Sequence, residues 1–175
     1  MFLDLLRKRR SIRKFQDRPV EAEKIESLCE ALLRSPSSRG LNPWEFVVVT
    51  DADTIAELAR AKAHGSAFLA GAPLAVVILA DPERSDVWVE DASIAAIILH
   101  LAATDLDLGS CWIQIRRRPH DEHLSADRFV ASVLGIPEDR CVEAVMAIGY
   151  AAGEKPPHPE ESLDRGKIHF HRYSK

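Results

Sequence analysis

The chain has 175 residues, 46% hydrophobic and 29% charged, with a formal net charge of −4. That is a length for one domain, 1–175, able to bury about 70% of its unfolded surface without a disulfide or metal staple, and the acidic balance argues against nucleic acid as the main partner. Cys29, Cys111 and Cys141 are odd in number and widely spaced, which reads as reduced thiols in a cytoplasmic protein; the apolar run Phe2–Leu6 is too short for a signal peptide, and its charges follow rather than precede it.

A short N-terminal helix, with Phe2, Leu3, Leu5 and Leu6 on its apolar side, is expected to end at Arg9-Arg10-Ser11-Ile12-Arg13-Lys14-Phe15, where Ile12 and Phe15 are anchors to a core. Residues 1–18 hold seven Lys/Arg against only Asp4 and Asp17, so the positive charge is local. Two readings of this run stay open. In one it complements the negative end of the helix dipole and faces water; in the other its planar guanidinium forks hold a small anion such as phosphate. Pro19 and Val20 lead into a helix whose Ile25, Leu28, Cys29, Leu32 and Leu33 follow the spacing of one buried face, ending by Ser35 ahead of Pro36. The turn-forming stretch from Ser35 to Pro43 then feeds a strand, Trp44–Thr50, and a polar loop before a buried strand is a natural place for binding groups.

Asp53 and Thr54-x-x-Glu57 read as a capping box opening a helix towards Ala63, and Gly65–Gly71 as a break with a helical turn. Leu74–Ala80 is a continuous apolar run, as in a strand covered on both faces. Val87 to Leu106 is predicted helical and, from Ala92 to Ala103, apolar nearly all round save Ser93 and His100; such a helix is central or shared with a partner, and is too interrupted to span a membrane. Gly109–Ile115 is a third strand, followed by the basic loop Arg116, Arg117 and Arg118. A helix through Phe129, Val130, Val133 and Leu134 and a strand Cys141–Tyr150 complete the regular elements, leaving Gly153–Lys175 as an extended arm lying against its own subunit or a partner.

No GxGxxG or GxxxxGK is present. His120 and His123, and His169 and His171, lack partners at metal-site spacing, so no metal is expected. Asp91, a carboxylate in an apolar helix, reads as structural, a capping group or half of a pair with an arginine.

Arg-Arg-Ser-x-Arg-x-Phe at 9–15, Ser-Pro-Ser-Ser-x-x-x-Asn-Pro-Trp-x-Phe at 35–46 and Gly-Ser-Cys-Trp-Ile at 109–113 resemble, in order, the FMN-dependent nitroreductase family. Trp88–Ala95, Leu134-Gly-Ile-Pro137 and Ile148-Gly-Tyr150 extend the likeness along nearly the whole chain. The resemblance implies an α+β sandwich, a mixed and mostly antiparallel sheet flanked by helices, forming a homodimer with two FMN sites at its interface. It further implies that Arg9, Arg10, Ser11 and Arg13 bind FMN at the phosphate and flavin edge, that Ser37, Ser38 and Asn42 lie near the ring or ribityl chain, and that Gln114 and Ile115 present backbone groups near flavin N5. Positive charge by the pyrimidine end of the ring would favour its reduced anion, and with the chemistry on the cofactor no protein acid or nucleophile is required.

The chain departs from the family pattern at Gly40, where many members have Asn, and at Ile115, where many have Gly. Glu160-Glu161 stand where many have an Arg-Lys pair, leaving Lys167 as the substitute for the phosphate. Arg116–Arg118 read as a solvated basic loop, or as a pocket rim attracting NADPH. The implied activity is hydride transfer from NADH or NADPH to FMN, then reduction of a nitroaromatic, quinone or similar small acceptor by a ping-pong mechanism. Reductive dehalogenation or flavin breakdown in the same pocket, and a non-catalytic flavin-binding module, are the alternatives.

Overall fold

The apolar runs of the strands do not alternate with polar residues because both faces of the sheet are covered. The computed structural model describes residues 1–173. Strands β1 (Trp44–Val49), β2 (Leu74–Ala80), β3 (Gly109–Gln114) and β4 (Cys141–Gly149) form one sheet in the order β1-β2-β4-β3, each pair antiparallel. An isolated parallel bridge joins Ser11 to Ser110 at the β3 edge. Among the described residues five α-helices flank the sheet: α1 (Phe2–Lys8), α2 (Ala22–Leu33), α3 (Ala52–Leu58), α4 (Trp88–Asp105) and α5 (Ala126–Leu134).

Successive residues of a strand point to opposite faces, and here each face has its own core. Val77, Leu79, Val145 and Ala147 pack with Ile55 and Leu58 of α3 and Val130 of α5. Val76, Ile78, Met146 and Ile148 pack with Leu28 and Leu32 of α2 and with Ala92, Ala95, Ala96, Leu99 and Ala103 of α4. Each fully buried Leu or Ile contributes about 1.5–3 kcal/mol relative to exposure, and small residues along α4 let it lie close to the sheet.

Several local expectations are corrected. The cap of α3 is Asp51, not a box opened by Asp53: the Asp51 carboxylate accepts from Thr54 N at 2.8 Å and from its hydroxyl at 2.6 Å, and the helix stops at Leu58, short of Ala63. Leu33 is 66% exposed and Cys29 only half-buried, because α2 seats Leu28 and Leu32 on the sheet and turns their neighbours about 100° away. No residue of α1 is buried. Phe2, Leu3 and Leu6 are exposed, as are Ile94 and Ile97 on α4. The segment from Gly153 to Tyr173 holds two short 3-10 turns, with Ile168, Phe170 and Tyr173 exposed; Ser174 and Lys175, the end of the expected arm, lie outside the described residues. Among the described residues no helix is long and apolar enough to cross a membrane.

Candidate functional site

Two paired glycines make the notch in which the basic segment is fixed. Gly109 lies opposite Gly149 at one end of β3 and β4. A Cβ on Gly109 would come within 2.7 Å of Ile12, and one on Gly149 within 2.5 Å of Pro73 and 3.1 Å of Phe15. Their absence lets Ile12 and Phe15 dock, as expected of anchors. Backbone bonds complete the attachment: Ile12 N donates to Ser110 O at 3.0 Å, and Gln16 N to Tyr150 O at 2.8 Å.

Thus held, the basic residues divide into two groups. Arg7, Lys8 and Arg18 pair with Asp4, Asp107 and Glu21 on the surface. Arg9, Arg10 and Arg13 meet only neutral groups. Arg9 Nη1 lies 2.9 Å from His100 Nε2, Arg10 donates to the Pro156 carbonyl, and the Arg13 guanidinium sits 5.7 Å from the centre of the Phe68 ring. Among the described residues no carboxylate is within ion-pair distance of these three, so their charge is uncompensated. Lys155, which sequence reasoning passed over in favour of Lys167, donates to Ser11 O at 3.0 Å. A cavity of about 300 Å³ is lined by Ser11, Arg13, Lys14, Gly153, Glu154 and Lys155, three cations to one carboxylate. Arg10 faces a neighbouring cleft of about 590 Å³ with Lys8, Gln16, Asp107 and Pro156. Burial raises the pKa of the Cys111 thiol, while the charges of Arg13 and Lys155 and a hydrogen bond from Ser11 act against the shift.

Lys167 is not part of this cluster. Its side chain is 81% exposed and lies 3.8 Å from Asp164. The lysine that does reach the basic segment is Lys155, whose only sequence signal is being the first cation after Gly153.

Ser37, Ser38 and Asn42 form a second, separate cluster. Asn42 N donates to Ser37 Oγ at 2.8 Å, and Ser37 Oγ donates to Asn42 Oδ1 at 2.7 Å. Arg39, Gly40 and Asn42 all have positive φ, so the loop is tightly folded. Buried Asp91 ties it to the first turn of α4: its carboxylate accepts from Ser38 N at 2.7 Å and from Ser85 Oγ at 3.1 Å, with no arginine involved. The loop enters the sheet at Trp44, whose row runs through Ala80 to Cys141, whereas Ser11 is bridged to Ser110 in the row of Ile148. Four strand spacings across, counting the Ser11 bridge outside β3, and most of β4 along place the two clusters at opposite corners, on the order of 30 Å apart.

Gln114 ends β3, its side chain bonded to Trp112 Nε1 and the Arg116 carbonyl, both at 3.0 Å. Ile115 is fully buried and its N–H donates to Glu143 O at 3.2 Å, so that donor, expected to face a ligand, is engaged within the sheet. Arg116 lies over Trp88 and 3.8 Å from buried Glu143, while Arg117 and Arg118 face solvent. His120 stacks on Phe129 and its Nδ1 lies 3.2 Å from the Ala61 carbonyl.

An antiparallel sheet covered by helices on both faces, with a basic segment anchored at one corner, defines an α+β protein. The chain belongs to the nitroreductase family, whose model matches residues 6–66 and 56–150. It is 45% identical to a solved structure described as an FMN-dependent nitroreductase from Clostridium difficile R20291, covering 98% of this chain and 99% of that one with a TM-score of 0.96. A relative from Archaeoglobus fulgidus, provisionally named NADH dehydrogenase/NAD(P)H nitroreductase, is 37% identical over 157 residues, 87% of each chain. An NADH dehydrogenase of Thermus thermophilus is 29% identical over 186 residues, 90% of each.

Proposed function

We propose that the protein is a homodimeric oxidoreductase that binds FMN, takes hydride from NADH or NADPH, and reduces a nitroaromatic, quinone or similar small acceptor. The observation that carries this reading is the anchored basic segment at the β3 edge, where Arg13 and Lys155 line one cavity with Ser11, Lys155 donates to the Ser11 carbonyl, and Arg9 and Arg13 meet no carboxylate within ion-pair distance. Forked guanidiniums, an amine and a hydroxyl suit one terminal phosphate, and the donor set therefore fits FMN. The names of the Clostridium difficile and Archaeoglobus fulgidus relatives support the cofactor and the reductant. FMN, when bound, supplies the ring that accepts hydride and passes electrons on.

The chain's own residues bind and orient. Arg9, Ser11, Arg13 and Lys155 hold the phosphate and the charged edge of the ring, while Arg10 fastens the 153–157 turn beside them. Ser37, Ser38 and Asn42 come to the site from a second copy, which their distance from Ser11 favours. Exposed Phe2, Leu3 and Leu6 of α1 and Ile94 and Ile97 of α4 are apolar surface for that copy to cover. In this reading residues 1–175 are one domain, with 153–175 an arm laid along the assembly.

One cleft for donor and acceptor implies that they enter in turn, giving ping-pong kinetics. The purified protein should be yellow with FMN, and anaerobic mixing with NADH or NADPH should bleach it. Retained FMN that neither nucleotide reduces would make the protein a flavin-binding module instead. Intersecting double-reciprocal plots would reject the ping-pong order.

A further inference from the structure

Helix α4 is apolar nearly all round, so an imidazole buried in it to 7% exposure needs partners for both ring nitrogens. His100 has them on two different elements. Its Nδ1 contacts Ser110 Oγ on β3, and its Nε2 lies 2.9 Å from Arg9 Nη1 at the end of α1. The guanidinium is a donor only, whereas a hydroxyl both donates and accepts. Nε2 must therefore accept from Arg9, which fixes the ring as neutral with its proton on Nδ1, donated to Ser110. A protonated ring would set N–H against N–H and cation against cation. Burial and the Arg9 charge both disfavour that form, and hold the imidazole down at about 4.

A neutral acceptor does what a carboxylate would not: it orients the guanidinium without consuming its charge. Lys8, the residue before Arg9, is by contrast paired with Asp107. We propose that His100 is a positioning residue of the flavin site, fixed in its Nδ1–H form by Ser110 so that Arg9 is held in one orientation with its charge free for the phosphate. Thr104, one turn further on, donates to the His100 carbonyl at 3.0 Å and secures the same stretch of helix. The inference rests on the FMN reading above, and the test separates the two.

Apoprotein is titrated with FMN and quenching of flavin fluorescence is followed for the wild type, His100→Leu, His100→Gln, Arg9→Ala and the Arg9→Ala/His100→Leu double variant. His100→Leu, which keeps the volume and loses the acceptor, should weaken FMN about tenfold. His100→Gln, whose amide oxygen still accepts, should recover most of that. In the Arg9→Ala background His100→Leu should cost nothing further, because a residue acting through Arg9 has nothing left to orient. Nitrogen chemical shifts of the wild-type ring give the tautomer without any variant, and should show Nδ1–H. An Nε2–H ring, wild-type affinity in His100→Leu, or a full loss that persists in the Arg9→Ala background would each overturn the proposal while leaving FMN binding in place. A wild type that does not bind FMN would instead overturn the functional reading, and this inference with it.

Discussion

Replacing Asp91 by alanine tests whether the Ser37–Asn42 loop is held in place by one buried carboxylate. Asp91 is 2% exposed and accepts two hydrogen bonds, from Ser38 N and from Ser85 Oγ. Hydrogen bonds to charged groups contribute about 1.5–3 kcal/mol each, so losing both costs about 4 kcal/mol. Asp91→Asn, which keeps an acceptor for Ser38 and lets the Ser85 hydroxyl turn to accept, should cost about 1 kcal/mol. For a chain of this size each kcal/mol lowers Tm by about 2–4 °C, which predicts a fall of roughly 10 °C for alanine and a few degrees for asparagine. Thermal unfolding followed by circular dichroism at fixed protein concentration measures both. Equal shifts in the two variants, or an alanine variant as stable as the wild type, would refute the anchoring. Because the loop carries Ser37, Ser38 and Asn42, Asp91→Ala should also weaken FMN; lowered stability with unchanged FMN affinity would keep the anchor and reject the loop's part in the site.

Three further outcomes follow from particular contacts. Arg13→Ala should weaken FMN by one to two powers of ten, from about 1.5–3 kcal/mol for a charged hydrogen bond, and equilibrium dialysis checks this; Arg10→Ala, which loses a bond to a backbone carbonyl, should cost less. Glu143 is 3% exposed, its Oε2 makes no hydrogen bond and has only Arg116 at 3.8 Å, and burial raises its pKa against the pull of that guanidinium, so Glu143→Gln should raise stability at neutral pH by about 1 kcal/mol in urea unfolding. His100, held at about 4 in the fold against 6.5 when unfolded, takes up its proton more readily unfolded, so it costs stability as pH falls from 6.5 to 4, with no effect above that window and no further change below it. The loss is at most about 3 kcal/mol, and His100→Gln should flatten that part of the stability–pH curve.

The sheet and its helices were legible because burial on both faces demands apolar runs, and β2 and α4 read as such directly. What local pattern could not decide was which residues of a run meet the core. Leu32 and Leu33 are adjacent and chemically identical, and only the seating of α2 buries one and exposes the other. The start of α3 was misplaced for a related reason: Asp51 and Asp53 both flank Thr54, and only the backbone geometry shows which carboxylate reaches Thr54 N.

Motif order singled out Arg9, Ser11 and Arg13 as candidates but not the polar groups that surround them, since those come from elements distant in the chain. Lys155 reaches Ser11 across 144 residues and His100 reaches Arg9 across 91. His100 had a signal, a polar residue interrupting an apolar helix, though its meaning depends on what lies beneath that helix. The separation of Ser37–Asn42 from Ser11 had none, because sequence order is silent on which corner of a sheet a loop enters. Strand order decides it: β1 and β3 are the two edges, and the Ser37–Asn42 loop feeds β1 while the Ser11 segment is bridged to the outer side of β3, so the two lie at opposite sides of one sheet. A small ligand touched by both loops would therefore have to lie between two copies, and the apolar faces left open on α1 and α4 are then part of the same design as the binding groups.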